Sequence, residues 1–288
     1  MSLLILTDLH LTANKPAGRI GDFISDVDRK LDEVLQITRD NNIEAILCAG
    51  DVFHRPDVLY STVARFVSFL ERLHIKFITI SGSHDLFGNN LDALYRTALG
   101  LLERLNMVEL LYPDIRPATR IGGITVGISG TNTDIELAHG SILPKPEMGE
   151  YTLIKDYKTR SKIVVVGHYH NGYDIVKSNN TKFICPGSLV RVSANSVELT
   201  RRPRVAIVDD NFDVNWIELK SAKQGKEVLS PPLVTKQIDF SNIMAEWKMD
   251  NIENISATSL LKEIASKDSV SKEVLDFALD FLEIQRSI

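Results

Sequence analysis

Residues 2–10 read Ser-Leu-Leu-Ile-Leu-Thr-Asp-Leu-His, a short apolar run that stops at an acid and a histidine. The run suits a buried strand and is far too short for a signal peptide. The pattern then recurs. Glu44–Ala49 is apolar and ends at Gly50-Asp51, with His54 just beyond; Lys76–Ile80 ends before Gly82-Ser83-His84-Asp85. Between these runs, Ile24–Arg39 carries Val27, Leu31, Val34 and Leu35 at helical spacing, and Leu59–Leu73 and Leu91–Leu105 also read as helices. Strand alternating with helix predicts a parallel sheet with helices packed on it. In such sheets ligands gather beyond the carboxyl ends of the strands, where these acids and histidines fall.

After about Val108 the texture changes. Arg120–Ser129 reads as two strands about a Gly122-Gly123 turn, and Lys162–Val166 is a strongly apolar strand. Shorter candidates follow at Tyr173–Val176, Lys182–Cys185, Arg204–Val208 and Val214–Leu219. Their spacing predicts antiparallel hairpins rather than further crossovers. The fold expected is α/β: two mixed β-sheets face to face with helices outside, a four-layer α-β-β-α sandwich over residues 1–229. Ser230-Pro231-Pro232 opens a linker to a short helical tail, residues 230–288. Within it Ser259–Ile264 and Lys272–Ile284 read as a helical pair.

The 288 residues carry a net charge of −5. A protein that coats nucleic acid on its own is usually basic, so tight autonomous DNA binding is disfavoured. A nuclease is not excluded, because bound cations reverse the local sign of a carboxylate site. No apolar run approaches a membrane span. Cys48 and Cys185 lack metal-binding or redox spacing, which predicts a reduced, cytoplasmic setting.

Six of the seven histidines lie in the strand-end loops: His10, His54, His84, His139, His168 and His170. D-x-H and H-x-H can turn side chains toward one or two ions, and a carboxylate such as Asp51 can bridge two. Any one of these motifs is commonly incidental. Their repetition at successive strand ends is not, and burying so many polar groups without a cation would be costly. Mixed imidazole and carboxylate ligation suits manganese, iron or zinc rather than calcium.

The strings Asp8-Leu9-His10, Gly50-Asp51-Val52-Phe53-His54, Gly82-Ser83-His84-Asp85, the lone His139 and Gly167-His168-Tyr169-His170 resemble those of the calcineurin-like metallophosphoesterases. GDVFHRP at residues 50–56 and PGSLVR at residues 186–191 look most like the SbcD-type DNA exonuclease subunits. The resemblance covers roughly Met1–Leu219. It implies that Asp8, His10 and His170 hold one metal, that His139 and His168 hold the other, and that Asp51 bridges them. His84 would assist at the scissile phosphate, with Asp85 orienting it and His54 beside the substrate. Two divalent ions, Mn2+ foremost, are implied.

Ser83 departs from the pattern, in which asparagine is a ligand to the second metal. A hydroxyl is shorter than an amide carbonyl, which predicts weaker binding there. The change is compatible with natural compensation, with a weakened enzyme or with an introduced substitution. The resemblance also implies DNA as substrate, an SbcC-type ATPase partner bound through the tail, and a homodimer formed through the helices at Leu59–Leu73 or Leu91–Leu105. Arg191, Arg201, Arg202 and Arg204 offer a basic stretch for a phosphate backbone, or simply a solvated strand edge. A nucleotide or phosphoprotein phosphoesterase, or a DNA-binding subunit with weakened catalysis, are the alternatives.

Overall fold

The structure is a computed structural model and describes residues 1–147 and 149–230. These fall within one compact unit, Met1–Leu233; a second unit, Val234–Ile288, lies outside the described residues, and with it the expected helical tail. In chain order the elements are β1 (Ser2–Leu6), α1 (Phe23–Asp40), β2 (Ile43–Cys48), α2 (Tyr60–Leu73), β3 (Lys76–Thr79), α3 (Ala98–Arg104), β4 (Glu109–Leu110), β5 (Ala118–Ile121), β6 (Ile124–Ile128) and β7 (Ile135–His139). There follow β8 (Ile142–Leu143), β9 (Thr152–Leu153), β10 (Ile163–Gly167), β11 (Tyr173–Ser178), β12 (Thr181–Cys185), α4 (Ser196–Thr200), β13 (Arg204–Asp209), β14 (Val214–Glu218) and α5 (Gly225–Val228).

The layered α/β expectation holds, with two mixed six-stranded sheets and few helices. The first sheet has the order β14-β13-β1-β2-β3-β4 and the second β11-β12-β10-β7-β6-β5. β1 shows why the sheets stack. Leu4 and Leu6 face a core shared with α1 and α2, while Leu3 and Ile5 face a core shared with Val126, Leu137, Ile163 and Val165 of the other sheet. Alternate residues of a strand point to opposite faces, so a wholly apolar strand must be covered on both. Asp22 caps α1 by accepting from Ser25 N at 3.0 Å, and the helix buries Phe23, Val27, Leu31, Val34 and Leu35. α2 contributes Phe66 and Phe69, which pack around Phe53 and Phe77.

Two expectations need correction. The second half is not built from hairpins alone: β10 pairs in parallel with both β7 and β12, and β6 in parallel with β7. All five residues of β10 are buried, the mark of a central parallel strand. The helix expected over Leu91–Leu105 is broken. A 3-10 segment, Leu91–Arg96, precedes α3, and Thr97 caps the latter by accepting from Gly100 N at 3.0 Å. A continuous helix is closed off because the Ala98 amide is taken by the Pro56 carbonyl at 2.9 Å. Among the described residues the outer face of the second sheet is covered by the segment around β8, β9 and a 3-10 turn at Ile154–Asp156, which contributes Ile142 and Ile154 to a third core. No described helix is long and apolar enough to cross a membrane.

Candidate metal centre

The carboxyl ends of β1, β2 and β3 in one sheet and of β7 and β10 in the other point to one end of the sandwich. The register of β7 with β10 sets Gly167 opposite His139. Close approach is permitted by glycine: between the sheets, a Cβ on Gly167 would lie 2.0 Å from the Ala49 carbonyl, and within the first sheet's loops one on Gly82 would lie 2.2 Å from Asp51 Oδ1. Four non-glycine residues here have positive φ: Asp8 (52°), His10 (44°), Asp51 (52°) and His168 (83°). Such backbone costs of order 1–3 kcal/mol per residue and persists where the surrounding structure imposes it, commonly at functional sites.

The side chains fall into overlapping groups whose donor atoms lie within 4.8 Å of one another: Asp8, His10, Asp51 and His170, and Asp51, His139 and His168. Asp51 belongs to both. Its Oδ2 is 3.7 Å from His10 Nε2 and 3.3 Å from His139 Nε2, while its Oδ1 accepts from His84 N at 2.8 Å. Asp8 accepts from Thr7 Oγ1 at 2.7 Å and from His168 N at 3.0 Å, which fixes one face of its carboxylate. His10 Nε2 and His170 Nε2 stand 2.8 Å apart.

These residues fit divalent cations. Asp51 Oδ2 and His139 Nε2 are buried without a hydrogen-bond partner, and an unmet buried polar group costs about 1–3 kcal/mol. Burial depresses the pKa of His10, and burial holds His170 at about 4, so at neutral pH two uncharged imidazoles aim ring nitrogens at one another. A cation would take a lone pair from each ring in its Nδ1–H tautomer. Burial also works against protonating His139, but Asp51 outweighs it and lifts the imidazole to about 9. Burial opposes ionising Asp51 as well, yet His139 and His10 hold its carboxyl well below the usual range. The two atoms are 3.3 Å apart but misaligned for a hydrogen bond. Without a metal, a proton on His139 is the positive charge this pocket demands. Burial raises Asp8 to about 6, for want of the same charge.

This arrangement matches a known family along most of its length. A family model, the calcineurin-like phosphoesterases, matches residues 1–208. The chain belongs to that family. No curated protein matches it. Solved structures that resemble this phosphoesterase include an archaeal phosphodiesterase, at 16% identity and TM-score 0.42, covering 76% of this chain and 100% of that one. Others are a protein of Thermus thermophilus (11% identity, TM-score 0.42, 75% and 98% covered) and a hypothetical protein of Pyrococcus horikoshii (15%, 0.42, 85% and 93%). The family match gives a hydrolase of phosphoester bonds with a divalent-metal site.

The remaining site residues are placed as follows. His84 is exposed, and its Nδ1 sits 2.9 Å from the His54 carbonyl, the arrangement in which Nδ1 donates and Nε2 faces outward. The rings of His54 and His84 stack with centroids 5.2 Å apart. Half-buried Ser83 lines a cavity of about 520 Å³ with His54, His84, Lys15 and Arg55. The expectation that the Asp85 carboxylate orients the His84 ring is corrected. Asp85 is fully buried and accepts from the backbone amides of Phe53 (2.9 Å), Gly82 (2.9 Å) and Val52 (3.3 Å). It therefore ties the His54 loop to the His84 loop through the main chain.

The basic stretch is engaged within the chain. Arg191 is buried and Arg201 half-buried; Arg201 pairs with Glu198 at 2.9 Å and donates to the Ser188 carbonyl at 2.8 Å. Arg204 pairs with Asp174 at 2.6 Å and stacks on Trp216, and Arg202 lies 3.6 Å from Glu218. Sequence reasoning missed Ser188. Its hydroxyl donates to the Asp8 carbonyl at 2.8 Å and its amide to the His170 carbonyl at 3.0 Å, so it clasps ligand loops from both sheets. The stretch PGSLVR marked it without revealing the role. A cavity of about 930 Å³ by Glu44, His74 and Lys76 lies at the strands' opposite ends and contains none of the clustered residues.

Proposed function

We propose that this phosphoesterase is a metal-dependent phosphodiesterase acting on DNA, the nuclease subunit of an SbcCD-type processing complex. The observation that carries the hydrolytic part is the pair of donor groups sharing Asp51. Two divalent cations, manganese in this reading, would supply there the charge that neutralises phosphoryl oxygens and acidifies a water for in-line attack. Asp8, His10 and His170 would hold one ion, His139 and His168 the other, and Ser83 would offer the second only a short hydroxyl. His84, oriented by the His54 carbonyl, presents Nε2 to protonate the leaving oxygen. Lys15 and Arg55, both exposed, line the same cavity as His54 and His84. Such cations suit the phosphates that flank a scissile bond in a polymer.

The partner reading belongs here too. The ATPase would dock on residues 233–288 and provide much of the DNA affinity that an acidic chain lacks. A homodimer would draw on the exposed apolar residues Leu59, Tyr60 and Tyr95. Deleting residues after Pro232 should abolish co-purification with the ATPase and spare hydrolysis of a small chromogenic diester. A second reading, a DNA-binding subunit with weakened catalysis, is favoured only by Ser83. The deciding experiment incubates end-labelled duplex and single-stranded DNA with manganese-loaded protein, beside a cyclic nucleotide and a phosphopeptide. Degradation of DNA at the highest kcat/KM is expected. Preference for either small substrate would replace the reading, and binding of DNA without cleavage would favour the weakened subunit.

A further inference from the structure

A second cavity opens at His139 and shares no lining residue with the groove at His54 and His84. It is the open end of the core between the two sheets. Ile80, Leu111 and Leu137 belong to that core, Ala138 and Ile128 extend the apolar wall, and Tyr112 adds a phenol ring. The exposed residues Leu91 and Pro113, with the hydroxyl-bearing Ser81 and Ser129, complete it. No acidic, lysine or arginine side chain lines it among the described residues. Its volume, about 290 Å³, lies just below the ~300–1,000 Å³ range of sites for drug-sized molecules, and suits one planar ring system.

An apolar gap at the end of a core is not in itself a ligand site. This one is bounded by His139, a member of the cation cluster. His139 therefore borders both the cluster that would hold a phosphate and this opening. A bare phosphate or a phosphorylated side chain has nothing to gain from such walls. A nucleobase does, because apolar burial and stacking on a phenol both favour a flat ring.

We propose that this cleft receives the base of one nucleoside esterified to the scissile phosphate, so that the enzyme takes hold of a nucleotide on the side of the metal centre opposite in chemistry to the basic groove. The assignment rests on the phosphodiesterase reading and deepens it.

The test compares thymidine 5′- and 3′-(p-nitrophenyl phosphate) with the corresponding esters of the abasic tetrahydrofuran sugar, all with manganese. Wild-type protein should hydrolyse one of the two thymidine esters with a kcat/KM about ten-fold above its abasic counterpart, the equivalent of ~1.4 kcal/mol. Pro113→Trp, which fills the cleft from its exposed rim, should erase that preference while leaving the rate on the abasic ester unchanged. Leu91→Trp is the second filling variant, should the first fold poorly. Equal rates with and without the base, or a preference that survives both variants, would overturn the cleft assignment alone. Hydrolysis of none of these diesters would overturn the phosphodiesterase reading and this assignment with it.

Discussion

At the scale of single residues, the roles proposed for His84 in chemistry and for Ser83 in metal binding are separable by substitution. His84 donates its backbone amide to Asp51, while its exposed ring stacks on that of His54. His84→Ala should therefore lower kcat by about 10²–10⁴-fold, the usual weight of a general acid, with manganese stoichiometry by elemental analysis unchanged. Ser83→Asn should tighten the weaker manganese site in a calorimetric titration and raise the rate at limiting metal; identical affinity and rate in both proteins would end the argument. Lys30 is the residue whose charge is least at ease. It donates to the Leu189 carbonyl at 2.9 Å, and burial, aided by Arg191, Arg19 and Arg201, brings it from the usual 10.5 to about 7. Below pH 7 folded and unfolded chains both carry the proton and the burial penalty is full. From pH 7 to about 10.5 the unfolded chain binds more protons, so stability rises with pH. Lys30→Met should exceed wild type in urea stability at pH 6, and the gap should narrow by on the order of 1–3 kcal/mol by pH 9.

At the scale of elements, what was legible in the sequence was local, and what was not depended on distant partners. The runs at Leu3–Leu6 and Ala45–Cys48 are apolar on both faces because both faces are covered, and they stood out at once. β7 did not. Its Glu136 is fully buried, satisfied by Tyr157 and by Thr159 at 2.8 Å, so an interior strand reads as half polar. The parallel pairing of β10 was equally hidden, since its partners β7 and β12 are set by crossovers and not by a turn signal. The break at Thr97 escaped because apolar spacing continues across it. Thr97→Ala should cost about 1 kcal/mol in chemical denaturation, the typical worth of such a cap. The histidines and acids of the metal centre were visible as strand-end motifs, whereas the backbone clasp of Asp85 and the role of Ser188 exist only once the loops meet.

At the scale of the whole molecule, the metal centre is a joint between sheets. Asp8, His10 and Asp51 belong to the first; His139, His168 and His170 follow strands of the second. Cations bound there should stabilise the folded state by about 2.7 kcal/mol at a hundred-fold excess over Kd. Thermal melts with manganese and with a chelator should differ accordingly, and superimposable melts would mean that the donors make no shared site.

The clasp at Ser188 has a consequence for synthesis. The serine meets Asp8 across 180 positions of chain, and His168 reaches the same aspartate across 160. A ribosome that has delivered the first sheet's parallel strands has made three donors of one cluster and one of the other. The growing polypeptide therefore holds no finished metal centre, and no means of hydrolysing a phosphoester, until its later strands have emerged and closed upon its beginning.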